Sequence, residues 1–332
     1  MRKVSSREEI VQQRVKVADA KSEHKRLSPI LHFVLPLLTA LQQQCSSKNS
    51  ELLFIIIIII LLTPPRIVMP LTIEEYQIGQ LFSVTEASRQ ETGGGEGVQV
   101  VRNEPFEGES LFNGRFTSGQ FTHKIYHLKS KVPAFLRAIM PRGSMTVHEQ
   151  SWNAFPYCKT ELTNPDYMKD DFLIRIETMH LSDRGTTKNA LGLSRDVLNE
   201  RKVVRIDIAN DNEHLSAADI LDNTRPSTFR PVNTGRGPLE QQWQTNCEPV
   251  MCAYKVITVK FKWLGLQTMV ESYIQKQYPR LLCKFNRELF CWMDRWHGLT
   301  LAQIRLIEEE TQRALDEMRK TGDPRGMTAS EH

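Results

Sequence analysis

The sequence predicts an α+β protein in which a curved, mainly antiparallel sheet grips a helix. Short segments with apolar and polar residues in alternation recur through the middle of the chain, and long helical segments follow them. A further observation concerns the interior. The apolar faces of five segments each carry a hydroxyl, an ammonium or a carboxylate group. We expect an internal cavity that is apolar along most of its length and polar at one end.

Composition excludes several functional classes. The 332-residue chain has a formal net charge of only +4, which does not indicate a nucleic-acid-binding protein. Its six cysteines show neither CxxC spacing nor paired histidines, so the sequence predicts no metal site. Reduced thiols in a cytosolic protein are the expectation for this pattern.

The first 65 residues differ from the rest of the chain. They contain six consecutive isoleucines, Ile55 to Ile60, which end at Thr63-Pro64-Pro65. The apolar run is shorter than the ~20 residues of a spanning helix, and it lies too far from the start for an ordinary signal peptide. A buried strand, a membrane-associating extension and translated non-coding sequence are the open interpretations, and we favour the third. Residues 1–65 are therefore predicted to be an extension, disordered or a gene-model artefact, and residues 66–332 the domain.

The elements of the domain follow in order. Thr72 and Glu75 form a capping box that predicts a helix from about residue 73 to residue 89. The Gly-rich stretch after it lacks the Lys-Ser/Thr pair of a phosphate-binding loop. Strands are predicted at 98–104, 121–128, 157–163, 172–180, 203–209 and 254–263, and a short apolar helix at 132–140. Helices are predicted at 266–277, 281–295 and 301–320.

The polar residues on apolar faces are the candidate binding groups. Glu308 projects between Leu301 and Leu315 on the last helix, where a carboxylate is costly to bury unless a polar group meets it. The apolar faces of the predicted strands carry five further polar residues: Thr122, Lys124, Thr160, Thr178 and Lys255. Lys124 and Lys255, if buried, would suit a phosphate or an inositol group, and the Glu308 carboxylate would suit hydroxyl donors. A purely structural Lys–Glu pair is the alternative.

Catalytic patterns do not emerge from the sequence. The histidines are scattered, and no Ser-His-acid order, metal-ligand cluster or paired carboxylate has supporting context, so we expect a protein that is not an enzyme. Trp263 and Leu264 end a basic strand, Lys260-Phe261-Lys262. They either pack into the core or form the tip of a loop that dips into a membrane.

Longer stretches carry a family resemblance. They read EYQIGQL at 75–81, ETGGGEG at 91–97, NEPF at 103–106, FTHKIYHL at 121–128, WNAFPYC at 152–158, TGRGPL at 234–239, MCAYK at 251–255, VKFKW at 259–263 and EEET at 308–311. In these segments residues 66–332 closely resemble the soluble single-domain (class I) phosphatidylinositol transfer proteins. The resemblance implies a helix-grip, START-like fold that encloses one phospholipid.

The resemblance also implies residue roles. The inositol ring would meet Thr122, Lys124, Asn153 and Glu308, with Glu149 as a weaker candidate. The lipid phosphate would meet Gln80, Thr160, Thr178 and Lys255. Cys158 and Phe285 would line the cavity, and Trp263 and Leu264 would dock on the membrane.

The implied function is exchange of phosphatidylinositol and phosphatidylcholine between membranes by a monomeric cytoplasmic protein, peripheral at membranes, with the bound lipid as cargo and no cofactor. The alternative is a module that presents phosphatidylinositol to lipid kinases with little net transport. Three departures from the family stand out: the sequence before Arg66 is not that of the family's first strand, Pro231 replaces a phosphorylatable serine, and Leu264 replaces a second tryptophan.

Overall fold

The computed structural model describes residues 58–60, 64–129, 131–132, 137–138, 145–262 and 267–325. Its strands are β1 (Ile58–Ile60), β2 (Pro65–Met69), β3 (Gly97–Leu111), β4 (Phe116–His127), β5 (Thr146–Ala154), β6 (Tyr157–Asn164), β7 (Lys169–Leu181), β8 (Val204–Ile206) and β9 (Met251–Phe261). Its helices are α1 (Ile73–Gln90), α2 (Arg195–Glu200), α3 (Trp243–Asn246), α4 (Gln267–Cys291), α5 (Met293–Trp296) and α6 (Leu301–Lys320). Trp263, Leu264 and most of the short helix predicted at 132–140 lie outside the described residues.

Within the described ranges, the strands form one nine-stranded sheet in the order β3-β4-β5-β6-β7-β9-β2-β8, with β1 also paired to β9. Every pairing is antiparallel except that of β2 with β8. Helix α1 packs against both α4 and α6, the helices α1 and α6 pack against β3, and α4 packs against β9. The predicted α+β, START-like fold is confirmed.

The boundary after residue 65 stays a prediction, and β1, which precedes that boundary, pairs with β9 through residues 258–260.

Several predicted elements are confirmed at or near their expected bounds. Helix α6 covers the predicted range, and the capping box of α1 is formed, with the Glu75 amide donating to Thr72 Oγ1 at 3.1 Å. The predicted break in residues 278–280 is wrong, because α4 continues through Pro279. A helical proline lacks one N–H donor, but packing on both sides of it holds the helix together. Ile274 and Tyr278 pack before it, and Leu289 packs after it.

Strand β5 was not predicted from the sequence. Residues that alternate along a strand point to the same face, and directly opposed residues share a face. Glu149 opposes Lys124 of β4, and Asn153 opposes Cys158 of β6. The inner face of β5 therefore carries polar side chains, so the strand lacks the apolar alternation by which strands are recognised.

The end of α6 docks on the Gly-rich turn after α1. The amides of Gly94 and Gly95 donate to the carbonyl oxygens of Thr321 and Arg319, at 3.0 and 2.8 Å. These bonds satisfy carbonyl groups at the helix end that have no partner within the helix. A Cβ atom at Gly94 would lie 2.5 Å from the backbone nitrogen of Pro324, whereas one at Gly95 would meet nothing within 4 Å.

We expect Gly94→Ala to loosen the last turn of α6, and Gly95→Ala to leave it docked. Both glycines have positive φ angles, +59° and +84°, so both alanines carry the same type of backbone strain. Only the first adds a steric clash, and overpacking of this kind costs about 1–3 kcal/mol. Hydrogen exchange of the amides in residues 316–320 should accelerate roughly five- to hundredfold in the first variant. Equal acceleration in both variants would attribute the effect to backbone strain alone.

Candidate functional site

The register of the sheet brings the predicted binding residues onto its inner face. Thr122, Ser151 and Thr160 oppose one another across β4, β5 and β6, and the next row places Lys124 opposite Glu149. A third row on the same face crosses five strands and consists of Gln120, Asn153, Cys158, Thr178 and Lys255. Towards β7 and β9 the inner face becomes apolar, with residues such as Ile176 and Ile257.

A cavity of about 220 Å³ lies between the polar part of this face and helices α1 and α6. Its size suits a lipid headgroup more than a whole phospholipid, because pockets for drug-sized ligands hold about 300–1,000 Å³. The predicted binding residues among those that line it are Gln80, Thr122, Lys124, Glu149, Asn153, Thr160 and Glu308. Hydroxyl, ammonium, amide and carboxylate groups thus surround one space.

Glu308 is held at the cavity wall by two neighbours. Asn103 Nδ2 donates to Glu308 Oε2 at 2.8 Å, and Arg305 Nη1 donates to the same oxygen at 2.5 Å. The side chain is only 13% exposed. Asn103 Oδ1 also accepts hydrogen bonds from Gln120 at 2.7 Å and from Thr122 at 3.4 Å. Asn103 therefore links the carboxylate on α6 to the sheet and fixes its position.

Lys124 pairs with Glu149, not with Glu308. The Lys124 ammonium lies 3.7 Å from Glu149 Oε1, and the Tyr126 hydroxyl donates to Glu149 Oε2 at 2.8 Å. Burial and the Glu149 carboxylate hold the pKa of Tyr126 well above its usual range, so its hydroxyl remains a donor at neutral pH. The pair keeps the buried charge of Lys124 compensated and orients its ammonium beside the cavity.

The residues predicted to meet the phosphate fall into two groups. Gln80 and Thr160 line the cavity, and the Oε1 atom of Gln80 is buried without a hydrogen-bond partner in the described part of the chain. Thr178 and Lys255 do not line it. Lys255 Nζ donates to Thr178 Oγ1 at 3.0 Å, and Thr178 is a diagonal neighbour of Thr160, a separation of roughly 7–8 Å. Desolvation lowers the pKa of Lys255 to about 8.

Cys158 and Phe285, predicted to line a lipid cavity, do not line the 220 Å³ cavity described above. Cys158 Sγ lies on the inner face of β6 and donates to Oδ1 of the lining residue Asn153 at 3.3 Å, and burial raises the pKa of its thiol to about 12. Phe285 packs against the main core formed by α1, α4, β2 and β9. Pro231 lies buried in the segment before α3. Trp263 and Leu264, which are predicted to dock on the membrane, are outside the described residues.

Several polar lining residues were not predicted to bind a ligand, among them Asn103, Ser151 and Thr311. Asn103 belongs to a quoted motif, but its contact with Glu308 joins residues 205 positions apart. Ser151 lies on the unrecognised strand β5 and shares a 2.8 Å hydrogen bond with Thr160. Thr311 ends the quoted EEET motif, but no role was predicted for it. The role of Asn103 follows from the register of the sheet, which places it opposite Thr122, and no signal in the sequence indicates that register.

Comparison with known proteins identifies the family. The sequence model of the family described as "Phosphatidylinositol transfer protein" matches residues 61–313. The chain belongs to this family. It is 51% identical over 271 residues to the human "Phosphatidylinositol transfer protein beta isoform", an alignment that covers 80% of this chain and 97% of the relative. "Phosphatidylinositol transfer protein 2" of Dictyostelium discoideum is 44% identical, over 75% of this chain and 93% of the relative.

Family membership confirms the predicted resemblance and the prediction of a phospholipid carrier. Among the helices of the described residues, none has the length and apolarity required to span a bilayer.

Proposed function

We propose that the protein holds one molecule of phosphatidylinositol or phosphatidylcholine in its interior and exchanges it between membranes without catalysing a reaction. The observation that carries the proposal is the convergence of Thr122, Lys124, Asn153 and Glu308 on one cavity between the sheet and α6, in a chain of the phosphatidylinositol transfer protein family. The protein would act as a monomer in the cytoplasm and contact membranes transiently.

The polar cavity would receive the headgroup. The Glu308 carboxylate accepts hydrogen bonds from inositol hydroxyls, and the Lys124 ammonium and the Thr122 hydroxyl donate to them. Glu149 orients Lys124 through their ion pair. A site built to bond hydroxyl groups discriminates against a ligand that lacks them, because its polar groups are then left unpaired. Choline offers no hydroxyl in this position, so phosphatidylcholine would depend on the other parts of the site.

The phosphate and the acyl chains would occupy the rest of the inner face. Thr160, Thr178 and Lys255 follow one another across the sheet from the cavity towards β9, Gln80 of α1 lies at the cavity wall, and the four would supply donors for a phosphate. Beyond them lies an apolar wall, where Ile174, Ile176, Ile257 and Val259 of the sheet face Ile274 and Tyr278 of α4. At ~0.8 kcal/mol for each CH₂ group, exposure of two acyl chains to water costs on the order of tens of kcal/mol. A protein interior removes most of that barrier.

Release requires the interior to open at a membrane. Helix α6 is the candidate mobile element, because it covers the cavity and its end is held by the few bonds to the Gly-rich turn. Trp263 and Leu264 would anchor the protein in the headgroup layer while the helix moves.

Vesicle-to-vesicle transfer without any kinase tests the proposal. Donor vesicles that contain labelled phosphatidylinositol or phosphatidylcholine are mixed with acceptor vesicles and the full chain, and mass spectrometry identifies the lipid that stays bound. The proposal expects one bound phospholipid per chain and net transfer of both labels. Stable loading of phosphatidylinositol with negligible transfer would favour the alternative, presentation of the lipid to kinases. Chemical products of the bound lipid would contradict the assignment as a non-enzymatic carrier.

A further inference from the structure

Thr311 carries an unsatisfied hydroxyl at the wall of the cavity. The residue is only 2% exposed, and its Oγ1 atom is buried with no hydrogen-bond partner in the described part of the chain. Buried polar groups in folded proteins are nearly always hydrogen-bonded, so each exception calls for an explanation. Threonines in helices usually bond to a carbonyl oxygen three or four residues earlier. Thr311 makes no such bond.

Two hydroxyl groups of α1, unlike that of Thr311, have hydrogen-bond partners within their own helix. Thr85 and Ser88 line the same cavity from the opposite helix. Thr85 Oγ1 donates to the carbonyl oxygen of Phe82 at 2.6 Å, and Ser88 Oγ donates to that of Val84 at 2.7 Å. These hydroxyls satisfy themselves within their helix and leave little for a ligand. Thr311 is thus the described threonine of the cavity wall whose buried hydroxyl still requires a partner.

The position of Thr311 indicates what that partner is. It lies three residues after Glu308, which places both on one face of α6. Both border the cavity that also contains the Lys124 side chain. A hydroxyl group can donate one hydrogen bond and accept others, whereas a carboxylate accepts only and an ammonium donates only. Neighbouring hydroxyls of a cyclic polyol present donors and acceptors side by side, and a trimethylammonium group presents neither.

From these contacts we infer that Thr311 is a specificity-determining residue that hydrogen-bonds directly to a polyol headgroup. The inference rests on the proposed function and deepens it, because it assigns to α6 a second ligand contact besides Glu308. In this arrangement the hydroxyl is satisfied when a polyol lipid is bound and unsatisfied when a choline lipid is bound. Thr311 therefore discriminates between the two headgroups and does not contact the phosphate and acyl chains that both lipids share.

The test compares Thr311→Val, Thr311→Ser and Thr85→Val. Valine has the shape of threonine without the hydroxyl, serine keeps the hydroxyl, and the third variant removes a hydroxyl of the same cavity that is already bonded. Each full-length protein is equilibrated with vesicles of equal phosphatidylinositol and phosphatidylcholine content, and the bound lipids are quantified by mass spectrometry. We expect Thr311→Val to lower the bound ratio of phosphatidylinositol to phosphatidylcholine roughly three- to tenfold, the effect of one neutral hydrogen bond. Thr311→Ser and Thr85→Val should keep the wild-type ratio.

Thermal unfolding of the phosphatidylcholine-loaded protein separates ligand binding from a structural role. Loss of an unsatisfied buried hydroxyl should leave the Tm of Thr311→Val unchanged or raise it, whereas loss of a structural hydrogen bond would lower it. An unchanged lipid ratio in Thr311→Val, or an equal fall in Thr85→Val, would overturn the inference. If the wild-type protein binds no phosphatidylinositol, the proposed function itself fails. A wild-type protein that selects phosphatidylinositol and a valine variant that selects it equally well would refute only the role of Thr311.

Discussion

Replacement of Glu308 by alanine is expected to lower phosphatidylinositol transfer roughly ten- to hundredfold, since a hydrogen bond to a charged group contributes about 1.5–3 kcal/mol. Phosphatidylcholine transfer should stay within about twofold of the wild-type rate, because a choline group offers no hydroxyl to the carboxylate. The measurement is transfer of each labelled lipid between vesicles. The carboxylate is well placed for this role, since Asn103 and Arg305 fix one of its oxygens.

Glu309→Ala is the matched control for this prediction. Glu309 follows Glu308 in the same helix but is exposed to solvent, so its removal changes the charge of α6 without touching the cavity. Both transfer rates should then match the wild type. Thr122→Ala should act in the same direction as Glu308→Ala with a smaller loss, because its hydroxyl is neutral. If Glu308→Ala slowed the transfer of both lipids equally, the carboxylate would serve to close α6 and not to select the headgroup.

The affinity for both lipids should fall as the pH rises above about 8, because Lys255 faces the proposed phosphate site. Desolvation lowers the pKa of Lys255 to about 8 in the lipid-free protein. A phosphate favours the charged form, so the pKa is higher when lipid is bound. Below pH 8 the residue is charged in both states and the affinity is constant. Above pH 8 binding takes up a proton, and the affinity falls by up to about tenfold per pH unit until the pKa of the bound state is reached.

Variants at Lys255 check this pH dependence. Lys255→Arg stays charged across the range, so the affinity should no longer fall between pH 8 and 9.5. Lys255→Met should bind both lipids more weakly at pH 7 and show no fall. Two titratable neighbours do not interfere, because the pKa of Cys158 is raised to about 12 and that of His180 is lowered to about 3, both by burial. Lipid binding measured by fluorescence titration from pH 6.5 to 9.5 gives the result. An unchanged slope in Lys255→Met would place the titrating group elsewhere.

The same residue affects the stability of the empty protein in the opposite sense. The pKa of Lys255 is lower in the folded state than the usual value of 10.5, so the unfolded chain binds more protons between pH 8 and 10.5. The contribution of this group to the free energy of unfolding therefore rises with pH across that window. Lipid affinity and this contribution to stability change in opposite directions with pH, so chemical denaturation of the lipid-free protein distinguishes the two.

Local pattern was sufficient to find four of the polar residues that line the cavity, Thr122, Lys124, Thr160 and Glu308. Glu308 and Lys124 interrupt apolar faces of known period, and that anomaly depends only on their own helix or strand. Strand β5 was not predicted, because its sequence lacks the alternation of apolar and polar residues. Its inner face is polar because it lines the cavity, so the function of the strand removed the signal by which strands are recognised. The continuous helix α4 was missed because a proline usually ends a helical pattern, and only packing on both sides of Pro279 overrides that tendency.

The sequence by itself determined the fold class, the family and the residues that break the apolar faces. The tertiary structure alone decided how those residues combine: Lys124 pairs with Glu149, Asn103 donates a hydrogen bond to Glu308, and Lys255 lies with Thr178 outside the cavity. The physical reason is that periodicity is a property of one element, whereas pairing depends on the register between strands and on the packing of helices across the sheet. Those distances join residues far apart in the chain, and no local pattern contains them.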